Sequence, residues 1–155
     1  MMNTTRRLLL RSAASAGLIA TAIAAGLLKP GRVLADWNSA AFSATKAADA
    51  LAAIGASSAA SSRDIVVKAP DIAENGASVP VEVMTTLPDV ESIAILGEKN
   101  AFPLVALYTL SDFDGFLSTR IKMGQTANVR AVVKAGGKLY TATKEVKVTV
   151  GGCGG

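Results

Sequence analysis

The residue best suited to covalent chemistry is Cys153, the only cysteine of the chain. It lies in the closing sequence GGCGG, where four glycines flank it: Gly151, Gly152, Gly154 and Gly155. Glycine has no Cβ and loses more backbone entropy on ordering than any other residue, so we expect residues 151–155 to form a flexible, swinging arm. Five extended residues reach at most ~18 Å, far enough to bring a thiol into the active site of another protein.

The arm contains no group that would activate the thiol. A cysteine with an ordinary pKa of about 8.5 is only roughly 3 per cent thiolate at pH 7. No lysine or arginine accompanies Cys153 in residues 151–155, and the terminal carboxylate opposes ionisation. We therefore expect activation inside whichever active site receives the thiol, which is how a carrier behaves. A frayed C-terminus that happens to contain a cysteine is the alternative.

Most catalytic chemistry is excluded by composition. The chain has no histidine, which removes Ser-His-Asp and Cys-His arrangements and the usual imidazole metal sites. A single cysteine also excludes CxxC redox chemistry and thiolate metal clusters. Two close carboxylate pairs, Asp112 with Asp114 and Asp89 with Glu91, lie in turn-like polar stretches, and we interpret them as solvated loop charges. The sequence thus predicts a non-enzyme with no catalytic residues, no metal and no bound cofactor.

The N-terminal segment predicts export. Arg6 and Arg7 precede a mildly apolar stretch, and the segment ends in Val33-Leu34-Ala35 ahead of Asp36. This pattern is typical of a twin-arginine signal peptide over residues 1–35, cleaved between Ala35 and Asp36. A membrane anchor is the weaker alternative, because Ser, Thr and Gly dilute the apolar run. We expect a periplasmic protein that has no membrane attachment after cleavage.

Removal of the signal changes the charge of the protein. The chain has 16 basic and 12 acidic residues, and five of the basic ones but none of the acidic ones precede Asp36. The mature chain keeps 11 basic and 12 acidic side chains, so no basic surface for nucleic acid is predicted. An exported chain with one cysteine cannot form an internal disulfide. It has either an intermolecular pair or a reactive thiol.

Two kinds of periodicity divide the mature chain. Residues 36–54 are alanine-rich and predict a helix, followed by a small-residue linker that completes the segment 36–62. The helix has an apolar stripe that would pack on a sheet or on a partner: Trp37, Ala41, Ala44, Ala48, Leu51 and Ile54. Beyond it, apolar and polar residues alternate in runs separated by turn signals such as Gly136-Gly137.

These runs predict about seven short strands, with no helix between them. We place them at 63–69, 79–86, 91–97, 103–110, 116–123, 127–135 and 138–150. Short strands at this spacing favour a mainly β fold, an immunoglobulin-like antiparallel sandwich over residues 63–150. The last strand leads directly into the GGCGG arm.

Two stretches carry a resemblance to a known family. "IAENGASVPVEV" (72–83) and "VKVTVGGCGG" (146–155), together with the twin-arginine signal and the all-β pattern, resemble the SoxY family. These proteins are the sulfur-carrier subunits of the periplasmic Sox system, which oxidises thiosulfate. The resemblance covers essentially the whole chain. It implies that intermediates are held covalently on Cys153 as S-thiosulfonate and S-sulfane groups.

The resemblance also implies partners. SoxZ would be the stable heterodimer partner, while SoxAX, SoxB and, where present, SoxCD would be transient partners. A homodimer linked through Cys153 is also compatible with it. The SoxZ contact could lie near the Gly136-Gly137 hairpin or on the apolar face of residues 37–51, and the sequence does not choose between them.

Two other functions remain open. The first is a ubiquitin-like sulfur carrier that is activated as a thiocarboxylate on its final Gly154-Gly155. The second is a structural exported domain whose cysteine only forms an intermolecular disulfide. A mass adduct on Gly155 would indicate the former, and a Cys153 without sulfur adducts would indicate the latter.

Overall fold

The computed structural model describes residues 38–149 of the chain. Two helices come first, α1 (Ser39–Ser43) and α2 (Ala47–Ala53). Nine strands follow: β1 (Ala60–Ser61), β2 (Ile65–Lys68), β3 (Ile72–Ala73), β4 (Val79–Thr85), β5 (Val90–Gly97), β6 (Leu104–Thr109), β7 (Phe116–Ile121), β8 (Ala127–Ala135) and β9 (Lys138–Val148). The predicted signal peptide, its predicted cleavage site and the predicted GGCGG arm lie outside the described residues.

The strands form two sheets. One has the order β1-β9-β8-β5-β6, and β3 also pairs with β9 in it. The other has the order β2-β4-β7. All seven predicted strands are present, and the prediction of a mainly β fold is confirmed. The first, second and fifth long strands (β2, β4 and β7) form the smaller sheet, and the other four long strands belong to the larger sheet. The immunoglobulin-like topology stays a prediction.

Two strands were not predicted. β1 and β3 are two residues long and pair parallel with β9, whereas the long strands pair antiparallel. A two-residue strand is too short to show alternation, so its pairing leaves no signal in the sequence. β1 lies in the predicted linker, which is also less exposed than expected because Ala56 is buried.

The main core fills the space between the two sheets. Because apolar and polar residues alternate along most strands, the apolar side chains on one face point into this core. On β4 these are Val79, Val81 and Val83, which are all fully buried. Ile93 and Ile95 of β5 face them from the larger sheet. Burying a side chain of this size stabilises the fold by about 1.5–3 kcal/mol.

A second core lies on the outer face of the larger sheet. There Ala94 and Leu96 of β5 pack with Ala41 of α1 and Ala50 of α2. β5 is therefore buried on both faces, which explains why its apolar run is continuous rather than alternating. The predicted apolar helical face thus packs on its own domain.

The single predicted helix is in fact two short ones. The chain is extended at Ala44 and Lys46, between α1 and α2. This interruption shifts the helical phase, so the predicted stripe is wrong at Ala48, which is exposed, and Ala50 is buried in its place. No helix among residues 38–149 is long and apolar enough to cross a membrane.

Candidate functional site

Strand β9 positions the end of the chain that bears the predicted carrier residue. It is an interior strand, with β8 on one side and the short strands β1 and β3 on the other. The last described residue of the chain, Thr149, directly follows β9 and lies four residues before Cys153 in the sequence. Four extended residues span at most ~14 Å of backbone.

The end of β9 is held on both sides. The ladder with β8 ends at the pair Ala127–Val146. Beyond it, the N–H of Val148 donates to Thr126 Oγ1 (2.9 Å). On the opposite side, the N–H groups of Lys147 and Thr149 donate to the carbonyl oxygens of Asp71 (3.0 Å) and Ala73 (3.2 Å). Consecutive amides therefore find acceptors alternately on the two sides, up to the last described residue.

The two sequence stretches that carried the resemblance meet at this point. Ile72 and Ala73, at the start of "IAENG", pair with Lys147 and Val148 near the end of β9. Gly76 follows in the same stretch, and a Cβ placed on it would collide with the carbonyl oxygen of Met123 and lie 2.9 Å from Val148 Cγ1. The "AENG" turn thus packs directly against the base of the arm.

A salt bridge supports the same contact. Lys144 Nζ of β9 pairs with Asp71 Oδ1, just ahead of β3. The hydrogen bond from Lys144, and then its charge, lower the pKa of the Asp71 carboxyl, with a smaller contribution from the charge of Lys147. Because the Asp71 side chain is 84% exposed, the pair orients the two segments more than it stabilises the fold.

The carboxylates near positions 89–91 have structural partners. Glu91 accepts a hydrogen bond from the N–H of Gly137 (2.8 Å) and forms a salt bridge with Lys134 (2.6 Å). Its pKa is lowered by the hydrogen bond from Lys134 first and the Gly137 N–H second. Asp89 adopts a positive φ of 52°, and its carbonyl oxygen accepts from the N–H of Gly136 (3.1 Å).

The second carboxylate pair also lies in a turn. Asp112 has a positive φ of 51°, and Asp114 Oδ1 accepts from the N–H of Phe116 (3.3 Å). Asp89, Asp112 and Asp114 are therefore loop residues, in agreement with their interpretation as loop charges. That interpretation is wrong for Glu91, which lies in strand β5 and forms a salt bridge with Lys134. No group of three or more metal-ligating side chains occurs among residues 38–149.

The Gly136-Gly137 hairpin lies at the opposite end of β9 from Thr149. Both glycines have positive φ, 53° and 74°, as the two-residue turn between β8 and β9 requires. The hairpin precedes β9 and the arm follows it, with an 11-residue strand between them. At about 3.3 Å per residue, the two ends lie ~35 Å apart. The hairpin and the last described residues after β9 therefore lie at opposite ends of that strand. The hairpin as a contact for SoxZ stays a prediction.

All predicted site residues lie outside the described part of the chain: Cys153, Gly151, Gly152, Gly154, Gly155, Arg6, Arg7, Ala35 and Asp36. The structure instead identifies contacts at the end of β9 that sequence reasoning missed. Asp71 and Thr126 accept hydrogen bonds from its amides, and Gly76 packs against Val148. The resemblance had already singled out the stretch around Gly76. Thr126 had no signal, since its contact joins residues 22 positions apart.

Comparison with known proteins identifies relatives. A family model described as "Sulfur oxidation protein SoxY" matches residues 50–153, a range that ends at the single cysteine. Among solved structures, the sulfur carrier protein SoxY from Chlorobium limicola f thiosulfatophilum is similar, with 45% identity and a TM-score of 0.61. That match covers 73% of this chain and 100% of the other chain.

More distant structural likenesses are to superoxide reductases. The neelaredoxin from Ignicoccus hospitalis is 16% identical, with a TM-score of 0.49. That match covers 56% of this chain and 81% of the neelaredoxin chain. A candidate superoxide reductase from Thermotoga maritima is 13% identical, with a TM-score of 0.47; that match covers 55% of this chain and 85% of the other chain. No curated protein gives a significant match.

Proposed function

This chain belongs to the SoxY family of sulfur carrier proteins, and we propose that it carries thiosulfate-derived sulfur on Cys153 in the periplasm. The observation that carries the proposal is that the family match extends to the only thiol of the chain. The anchored end of β9 supports it, because a fixed base and a short glycine arm present one thiol to several enzymes in turn.

The proposed cycle begins with oxidative coupling at a SoxAX-type haem enzyme. The thiol and thiosulfate form an S–S bond, giving Cys–S–S–SO3⁻ with release of one proton and two electrons to the haem enzyme. A SoxB-type hydrolase then adds water, breaks the bond between the sulfane and the sulfone sulfur, and releases hydrogen sulfate. This step leaves Cys–S–SH on the carrier.

Completion of the cycle needs a further oxidation. Where SoxCD is present, it removes six electrons and seven protons from Cys–S–SH and three waters, giving Cys–S–SO3⁻. A second hydrolysis then releases hydrogen sulfate and restores the thiol. In every step this chain supplies the attachment point, whereas proton transfer and electron transfer belong to the partner enzymes.

The decisive experiment is substitution of the thiol. Cys153→Ser should abolish thiosulfate-dependent electron transfer to the haem enzyme, because the S–S bond cannot form without a thiol. The circular dichroism spectrum and thermal midpoint should match those of wild type. Mass spectrometry of the native protein should locate sulfonate- or sulfane-sized adducts on Cys153. Retained activity in the serine variant would refute the carrier function.

The export route has a separate test. Replacement of Arg6 and Arg7 by lysine should retain the protein in the cytoplasm, because the twin-arginine pathway requires the arginine pair. We also propose that SoxZ leaves the cytoplasm bound to this chain, since that pathway moves folded proteins. Cell fractionation and immunoblotting of both proteins measure this. Export of SoxZ without its partner would contradict co-transport.

The ubiquitin-like alternative has less support. In the described residues both helices precede every strand, whereas a ubiquitin-like chain places its helix between strands. A mass shift on Gly155 instead of Cys153 would nevertheless favour it. The structural-domain alternative predicts a Cys153-linked dimer and no sulfur adduct on Cys153 in the unreduced protein.

A further inference from the structure

The base of the arm is held by a side chain where the backbone ladder has already ended. β8 begins at Ala127, which pairs with Val146, so no β8 backbone group is paired with Val148. The acceptor for the Val148 N–H is instead the hydroxyl of Thr126, at 2.9 Å. Without it, this amide would lose its partner on the β8 side, and terminal strand residues open readily when such bonds are lost.

Thr126 is well placed to act as a fixed acceptor. It directly precedes Ala127, which is 5% exposed and belongs to the main core. Its own side chain is half-buried. On the other side of β9, the bonds from Lys147 and Thr149 to the β3 segment complete the attachment. The end of β9 is thus held by the Thr126 hydroxyl on one side and by the short strand β3 on the other.

The position of this attachment sets how many residues separate the sheet from Cys153. Counting from Thr149, four residues reach Cys153, which span at most ~14 Å. Release of Val148 and Thr149 would add two residues, or ~7 Å. Each released residue must be ordered again when a partner enzyme encloses the arm, and that ordering opposes binding.

We propose that Thr126 is a positioning residue that fixes where the carrier arm begins, and thereby the reach with which Cys153 enters partner active sites. The inference rests on the proposed carrier function. The carrier function of Cys153 does not require the Thr126 hydroxyl. The positioning role of Thr126 and the carrier function can therefore fail separately.

The first test is amide exchange in the full mature chain bound to SoxZ. In Thr126→Val, the valine side chain is close in shape to threonine but has no hydroxyl. The Val148 amide of this variant should exchange roughly fivefold faster than in wild type, as the loss of one ordinary hydrogen bond predicts. Thr126→Ser keeps the hydroxyl and should exchange like wild type. Thr143→Val is the matched control. Thr143 lies exposed on β9, the strand that contains Val148, and its side chain makes no hydrogen bond among the described residues.

The second test is transfer to an enzyme. With SoxB and carrier loaded as Cys–S–S–SO3⁻, Thr126→Val should raise KM for the carrier about fivefold and leave kcat unchanged, since only productive insertion is affected. The rate of Cys153 alkylation by iodoacetamide should stay at the wild-type value, because the thiol itself is unaltered. Thr126→Ser should restore the wild-type KM.

The outcomes separate the inference from the carrier function. Unchanged Val148 exchange in Thr126→Val, unchanged KM, or an equal KM rise in Thr143→Val would each overturn the role of Thr126. None of these would affect the carrier function, which fails only if the wild-type protein bears no sulfur on Cys153 or if Cys153→Ser stays active.

Discussion

At the scale of single residues, Gly76 shows why the chain needs a glycine in the "AENG" turn. The reason is close approach, since a side chain there would meet the Met123 carbonyl oxygen and Val148. Asn75 closes the turn, because its Oδ1 accepts from the N–H of Ala77 (2.9 Å). One residue thus allows the turn and the end of β9 to pack together.

We predict that Gly76→Ala destabilises the fold by about 1–3 kcal/mol, the usual cost of overpacking. Part of the collision is with backbone, which cannot move aside as a flexible side chain can. Gly124→Ala is the matched control, because a Cβ there meets nothing within 4 Å. It should change the free energy of unfolding by no more than about 0.5 kcal/mol. Urea denaturation measures both, and equal stability of the two variants would contradict the packing argument.

At the scale of elements, Glu91 links strand β5 to the β8–β9 hairpin. Its carboxylate binds Lys134 of β8 and the N–H of Gly137 in the turn. The neighbouring strands already fix the register, so this contact secures the turn rather than defining the sheet. The hairpin glycines and the acidic residue were both visible in the sequence, but their contact joins residues 46 positions apart.

The lowered pKa of Glu91 gives this link a pH dependence. A carboxyl whose pKa is lowered by folding stabilises fully above its ordinary pKa of about 4.3, and that stabilisation is lost as the pH falls through the lowered value. Glu91→Gln should therefore lower the thermal midpoint at pH 7 and match wild type near pH 2.

Glu145→Gln is the control for this prediction. Glu145 is exposed on β9 and forms no salt bridge among the described residues, so its substitution should have little effect at either pH. Differential scanning calorimetry at both pH values provides the measurement. A constant difference between wild type and Glu91→Gln across the pH range would contradict the electrostatic origin.

At the scale of the whole described domain, the larger sheet has a core on each face. Ile95 faces the smaller sheet, and its neighbour Leu96 faces the helices. Both are fully buried. The short helices therefore form a structural layer of the domain, although each is too short to be stable alone.

We predict that Ile95→Ala and Leu96→Ala each cost about 2–5 kcal/mol, because each leaves a cavity in a packed core. Both variants should unfold in one cooperative transition, since β5 belongs to both cores. Thermal unfolding followed by far-ultraviolet and near-ultraviolet circular dichroism measures this. A Leu96→Ala cost below about 1 kcal/mol would indicate that the helical layer is only loosely attached.

The sequence by itself determined the long strands, the turn glycines and the likeness to SoxY, because these depend on local alternation, backbone conformation and short motifs. It also singled out Cys153 by its uniqueness. Only the tertiary structure decided the short strands β1 and β3, the interrupted helix and the contact of Thr126 with Val148. These depend on which distant segments meet in space, and residues 22 or more positions apart leave no periodic trace of their meeting.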